Sequence, residues 1–291
     1  MRRAFWTGTH AIGTDLHYPR ACSAAMAPRA WKEEFPIIFE QLRDPQLGCL
    51  SYILGDEGEG RAVVVDPLER LGLDAYLEEA ANRGLLITEI IDTHIHADHI
   101  TIGRKLAEAT GARYLLSEHA EVSYPYEPLR EGNTLALGPI ELKVLFTPGH
   151  TPDGISLLAV DRSRTDEPWF ILTGDSLFIG DVARPDLILS EQQERSEDRA
   201  RVLHHSLFDK LMHLPDTVEV YPGHYGASTC GGPHMSGKTV STIGFERRFN
   251  VALQQPGEDE FVRFVLSSLK PLPDRYEEIK RTNLGKVDGH V

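Results

Sequence analysis

A largely apolar run, Leu85 to Ile91, leads into Thr93-His94-Ile95-His96-Ala97-Asp98-His99. Three histidines and one aspartate in so short a stretch limit what the chain can become. Neutral imidazole and carboxylate are the donors that hold zinc, iron or manganese, so a loop of this kind behind a buried strand predicts a metal site. Side chains alternate sides in extended backbone, and these donors converge only if the chain turns here. A polar loop with accidental histidines is the competing explanation. It loses force because three further apolar runs end the same way, in Phe146-Thr147-Pro148-Gly149-His150-Thr151, Leu172-Thr173-Gly174-Asp175-Ser176 and Tyr221-Pro222-Gly223-His224. Each uses a glycine turn to deliver one ligand-type side chain at a strand end, where sites are commonly built on rigid scaffolds.

Between these motifs, strand-like and helix-like segments alternate without an evident linker. Ile37 to Phe39, Cys49 to Leu54, Ala62 to Val65 and Leu85 to Ile91 read as strands, as do Tyr114 to Leu116, Leu142 to Phe146, Ile155 to Val160, Trp169 to Leu172 and Val218 to Tyr221. Leu71 to Arg83 places Leu73, Tyr76, Leu77 and Ala80 on one helical face. Ile100 to Ala109, Val202 to Leu211 and Glu258 to Leu269 are the other predicted helices. This is the pattern of one α/β domain over residues 36–291, closing in a helical segment from about 251. Residues 1–35 form an extension whose basic, acid-poor composition reads as a poorly ordered leader or an organelle transit peptide.

A net charge of −14 disfavours nucleic acid as the main partner. No apolar run is long enough to span a membrane. Three scattered cysteines, Cys22, Cys49 and Cys230, form no disulfide framework and suit a reducing, cytoplasmic compartment, with a mitochondrial one following if the extension is a transit peptide. Cys49, inside an apolar strand, reads as core. Cys230 reads first as a small buried hydrophobe, with sulfur carriage or redox sensing as the alternative. His119, His204, His205, His213 and His234 lack ligand partners in sequence and read as structural or surface residues.

Together, Thr93 to His99, Thr147 to Thr151, Gly174-Asp175 and Pro222 to His224 resemble the metal motifs of the metallo-β-lactamase superfamily. The resemblance implies an αββα sandwich, two mixed β-sheets flanked by helices with metal at one edge, and matches Asp66 to an aspartate that supports the site without binding metal. Gly174 to Leu187, Tyr124 to Leu129 and Ser241 to Arg248 are similar to the persulfide dioxygenases, especially the catalytic domain of the rhodanese-fused type. That likeness implies an enzyme that oxidises glutathione persulfide, or a similar low-molecular-weight persulfide, with O2 to sulfite and thiol. It further implies one Fe(II) per chain held by His94, His150 and Asp175. His96, Asp98, His99 and His224 then orient ligands and water or hold a second metal.

The alternative within the superfamily is a two-metal zinc thioester hydrolase of glyoxalase II type, although the Gly-Cys-Gly-Arg pattern usual there is absent. Arg184 reads equally as a grip for a glutathione carboxylate and as a salt-bridge partner of Asp186, and Tyr225 as a wall of the substrate groove or an ordinary packed tyrosine. The chain stops near where a rhodanese module begins in fused relatives, so persulfide is expected from elsewhere, including a separate sulfurtransferase. Dimers are common in the family, and a homodimer is the corresponding expectation.

Overall fold

The run Ala62-Val63-Val64-Val65 has no polar side because both of its faces are covered. Val63 and Val65 pack with Leu50, Tyr52, Leu142 and Phe170, whereas Ala62 and Val64 pack with Tyr76, Ile90 and Leu106. A strand buried on both faces loses the polar–apolar alternation of a half-exposed one. The structure, a computed structural model, describes residues 37–226 and 228–286. Within them, this strand lies at the centre of a layered arrangement.

One mixed sheet contains β1 (Ile37–Asp44), β2 (Cys49–Asp56), β3 (Arg61–Val65), β4 (Leu86–Ile91), β5 (Arg113–Ser117) and β6 (Glu127–Leu129), in that spatial order. The first three are antiparallel and the rest run parallel to β3. Parallel neighbours need long crossovers. Helices α1 (Leu73–Asn82) and α2 (Gly103–Thr110) supply two of them, and their Tyr76, Ala80 and Leu106 cover the outer face of the sheet.

The second sheet contains β7 (Thr134–Leu137), β8 (Ile140–Phe146), β9 (Ile155–Asp161), β10 (Pro168–Gly174), β11 (Glu219–Pro222) and β12 (Ser241–Thr242), also in sequence order. Only β10 and β11 are parallel, and the crossover between them carries α3 (Ser196–His205). Leu203 of α3, Ile243 of α4 (Ile243–Phe249), and Phe261 and Val265 of α5 (Glu258–Ser267) pack on Leu158, Ile171 and Val220 of this sheet. The last described helix is α6 (Tyr276–Asn283). The result is the expected αββα sandwich of two mixed sheets, with the inter-sheet core drawn from β2 to β5 on one side and β8 to β10 on the other.

One expectation is corrected. The helix placed at 202–211 starts earlier, at Ser196, and passes after His205 into a π-helical turn at Ser206–Lys210 and a 3-10 turn at Leu211–His213. Its charged first turn, Ser196-Glu197-Asp198, hid the start from apolar periodicity, because only Arg199, Ala200, Leu203 and His204 of this helix are buried. Helices α4 and α6 were not anticipated, nor were β6, β7 and β12. The extension at residues 1–35 lies outside the described residues. No described helix is long and apolar enough to cross a membrane.

Candidate metal centre

Both sheets deliver their motif loops to the same place. Asp66, at the end of β3, adopts φ +51, a left-handed conformation that aspartate tolerates better than most residues. Its carboxylate accepts from Thr93 N at 2.7 Å, from Thr93 Oγ1 at 2.9 Å and from His96 Nε2 at 3.2 Å. Asp153 fixes the next turn by accepting from Ile95 N at 2.8 Å. From α6, the Asn283 amide donates to the carbonyls of His96 and His99 at 2.9 and 2.8 Å and accepts from Thr101 N at 3.2 Å.

The second sheet joins through Ile155 N, which donates to Thr93 O at 2.9 Å. Here two motif glycines have a steric reason. A Cβ on Gly174 (φ +49) would lie 2.6 Å from Thr93 Oγ1, and one on Gly223 would lie 2.5 Å from Asp175 Oδ1.

The hydrogen bonds also set which ring nitrogen faces inward. A carbonyl can only accept, so His150 Nδ1 donates to Arg184 O at 2.7 Å and His224 Nδ1 donates to Gly48 O at 3.2 Å. Thr93 Oγ1 gives its proton to Asp66 and lies 3.1 Å from His94 Nδ1, which donates to it in turn. His96 is reversed, with Nε2 toward Asp66 and Nδ1 inward. Fixing one imidazole nitrogen as a donor leaves the other with a free lone pair, the form a metal ligand needs.

The inward atoms His94 Nε2, His96 Nδ1, His150 Nε2 and both Asp175 oxygens are buried and have no hydrogen-bond partner. Buried polar atoms are ordinarily satisfied. His94 and His150 Nε2 lie 3.8 and 3.5 Å from Asp175 Oδ2, and the three donor atoms are within 4.8 Å of one another. These residues fit a metal ion.

A second group adjoins them. Asp98 Oδ2 lies 3.1 Å from His99 Nδ1 and 3.5 Å from His224 Nε2, and His224 Nε2 is 3.2 Å from Asp175 Oδ2. Electrostatics divide the two groups. Burial lowers the pKa of His94, as does neighbouring His96, and burial likewise lowers His150 against the pull of Asp175, so both are neutral. His99 and His224 are also desolvated, yet Asp98 beside the first and Asp175 beside the second raise them well above the ordinary histidine value. Burial alone would raise Asp175, but His224, His94 and His150 outweigh it and hold the carboxyl well below its usual range. Without metal, the first group is therefore two neutral imidazoles and a carboxylate, and the second is a set of ion pairs.

The metallo-beta-lactamase superfamily model matches residues 44–224, from the end of β1 through His224. The chain belongs to the metallo-β-lactamase superfamily. Among curated superfamily proteins it is 30% identical over 244 residues to the human mitochondrial persulfide dioxygenase ETHE1, covering 83% of this chain and 85% of that one. The crystal structure of ETHE1 from Myxococcus xanthus superposes with a TM-score of 0.72 at 31% identity, over 86% of this chain and all of that one. A metallo-beta-lactamase structure from Staphylococcus aureus gives 0.78 at 31% identity, over 85% and 73% respectively. The chain is thus a superfamily member similar to persulfide dioxygenases, with His/Asp groups suited to a metal cofactor.

Within this superfamily fold, His94, His96, Asp98, His99, His150, Asp175 and His224 come together, and Asp66 sits behind them. Of the two readings of Arg184, the structure bears out the salt bridge with Asp186. The arginine is buried, pairs with Asp186 through Nε and Nη2 at 2.6 and 2.8 Å, and spends its other donors on the carbonyls of Thr229, Lys270 and Pro271. No donor is left for a glutathione carboxylate. Tyr225 is half-buried and packs against the inter-sheet core.

Cys49 is buried in the core, as expected, and its sulfur faces a carboxylate: Sγ donates to Asp98 Oδ2 at 3.2 Å and lies 3.9 Å from His99 Nδ1. Cys230 packs with Phe178 and Ala183, its sulfur within 4.8 Å of donor atoms of Asp175 and His224. Of the histidines read as structural, His204 stacks on Phe208 and His205 meets Asp209. Asp153 and Asn283 escaped sequence reasoning. Asp153 stands three residues after His150 and gave a weak signal, while Asn283, far along the chain, gave none.

Proposed function

We propose that this chain is a non-haem Fe(II) persulfide dioxygenase, with one ferrous ion held by His94, His150 and Asp175. Its substrate on this reading is a low-molecular-weight persulfide, foremost glutathione persulfide. The observation that carries the proposal is the convergence of two neutral imidazoles and one ionised carboxylate, with His94 Nε2 and His150 Nε2 buried and unbonded beside Asp175, in a chain similar to persulfide dioxygenases. Three such protein donors leave coordination positions open, the arrangement used by oxygen-activating non-haem iron. When bound, iron supplies the redox chemistry joining the terminal sulfur to oxygen; overall, one persulfide, one O2 and one water give one thiol, one sulfite and two protons.

The chain's own residues hold and orient. Arg184 O keeps the His150 tautomer, Thr93 keeps that of His94, and Asp66 aims His96. Asp98, His99 and His224 form a charged group beside Asp175 that could accept or release protons next to a metal held there. The likeness to persulfide dioxygenases does not favour the thioester-hydrolase reading.

The test is anaerobic purification, iron loading and oxygen-electrode recording with glutathione persulfide, with metal analysis of the same sample. Rapid uptake at about one iron per chain, lost together with the iron in His94→Ala, is expected. Absence of uptake by iron-loaded protein, with zinc-dependent thioester hydrolysis in its place, overturns the proposal.

A further inference from the structure

We propose that Arg199 of α3 is a positioning residue for the metal ligand His150. It fixes the ligand's backbone and, through a second carbonyl, the loop that fixes the ligand's ring. This role deepens the reading of His150 as a metal ligand and rests on it.

One face of α3 and of the π-helical turn after it runs along the His150 motif. Arg199, Leu203, Ser206 and Lys210 recur at helical spacing, and three of them reach alternate carbonyls of residues 146–150. Lys210 Nζ donates to Phe146 O at 2.8 Å, Ser206 Oγ to Pro148 O at 2.7 Å, and Arg199 Nη1 to His150 O at 3.3 Å. Leu203 lies against Gly149, whose φ of +139 suits glycine, and a Cβ there would come within 2.5 Å of Leu203 Cα. The helix backbone itself therefore meets the motif, with no room for a side chain between them. Arg199 Nη1 is shared with Leu187 O at 3.5 Å, a carbonyl that Lys280 also holds at 2.7 Å. Leu187 stands three residues after Arg184, whose carbonyl takes the His150 Nδ1 proton. One guanidinium thus spans both supports of the ligand, its own peptide and the loop that sets its tautomer.

A residue needed only to seat α3 would be apolar here, as the buried Ala200 and Leu203 are. Arg199 is instead charged and buried, with Nε on Glu194 and Nη2 without a partner. Burying a guanidinium is costly, and a well-packed hydrophobe in such a position is often as stable or more so. What a hydrophobe lacks is the planar fork that holds a carboxylate and two carbonyls at once. A shift of the His150 peptide or of the loop at 184–187 would move His150 Nε2 relative to His94 and Asp175. Centres whose ligands lose the groups that orient them bind metal less tightly.

Cobalt(II) titration of the full-length metal-free protein against a competing chelator tests this, with the cobalt d–d absorption recorded alongside. In Arg199→Met the metal should bind about tenfold more weakly and with an altered d–d spectrum, while the metal-free denaturation midpoint stays near that of wild type. Arg201, in the same helix, spends its guanidinium on Glu197, Glu258 and Asp259, so Arg201→Met should keep wild-type affinity and spectrum. Arg199→Lys keeps the charge without the fork and should recover the affinity only in part. Should Arg199→Met fail to fold, Arg199→Lys and Ser206→Ala decide, each expected to bind less tightly than wild type. Wild-type affinity and spectrum in Arg199→Met, an equal loss in Arg201→Met, or a loss that only tracks a fall in the metal-free midpoint would each overturn the role. So would wild-type binding by both Arg199→Lys and Ser206→Ala. Failure of the wild type to bind cobalt at all would instead overturn the reading of His150 as a ligand, so the two failures are distinct.

Discussion

Asp66 acts on the centre through its neighbours. One carboxylate takes the amide and hydroxyl of Thr93 and the Nε2 proton of His96, setting the loop's entry and one ring's tautomer together. Asp66→Asn would put an amide donor where three donors already point. The expected result is a fall in metal affinity of about 10–100-fold, measured by chelator competition, with the fold retained by circular dichroism. Asp66 and all seven metal-facing residues were legible in the sequence because each sits at a strand end in a recognisable local pattern. Cys49 is core as read, but an apolar run conceals which way its first residue points, so its contact with Asp98 was not foreseen. By alternation Cys49 shares a side with Ser51, the one polar side chain of the run, and that parity was the available signal. Arg184 was undecidable from sequence, since its carbonyl partners at 229, 270 and 271 are remote along the chain.

Elements were legible in proportion to how apolar their buried faces are. The inter-sheet strands and α1 carry Val, Leu and Ile or a clear helical stripe, and both were found. Helix α6 buries Lys280 and Asn283, so its inward face is polar and leaves no hydrophobic period to detect. It is nevertheless the element that closes on the metal loop. Asn283→Ala would strip partners from the His96 and His99 carbonyls and from Thr101 N, all held by one amide. Several lost buried hydrogen bonds should cost about 2–4 kcal/mol, read from the denaturation midpoint. Metal affinity should fall as well, because the carbonyls being released belong to loop histidines. An unchanged midpoint and unchanged affinity would remove α6 from any role at the centre.

At the scale of the whole molecule, one buried charge gives stability a pH dependence. Lys280 Nζ donates to Leu187 O at 2.7 Å, and burial first, then nearby Arg199, lowers its pKa from 10.5 to about 8, with Asp153, Glu194 and Glu191 pulling the other way. The unfolded chain therefore holds this proton more tightly than the folded one. Above pH 10.5 both states are neutral and Lys280 carries no penalty. As pH falls toward 8 the folded state must keep the ammonium buried, at a cost of at most about 3 kcal/mol, and below 8 the penalty is constant. The stability difference between wild type and Lys280→Met should thus change across pH 8 to 10.5 in favour of wild type as pH rises, and be flat below. A difference that is flat throughout would show that Lys280 keeps an ordinary pKa.

The two sheets are also consecutive in the chain: β1 to β6 end at Leu129, and β7 begins at Thr134. His94, His96, Asp98 and His99 belong to the first half, and His150, Asp175 and His224 to the second. A ribosome making this protein therefore releases four donors early and must extend the chain past residue 224 before the last arrives. Neither half offers the complete set on its own. An ion held by His94, His150 and Asp175 therefore requires strands of both sheets to have been made and to have closed on each other.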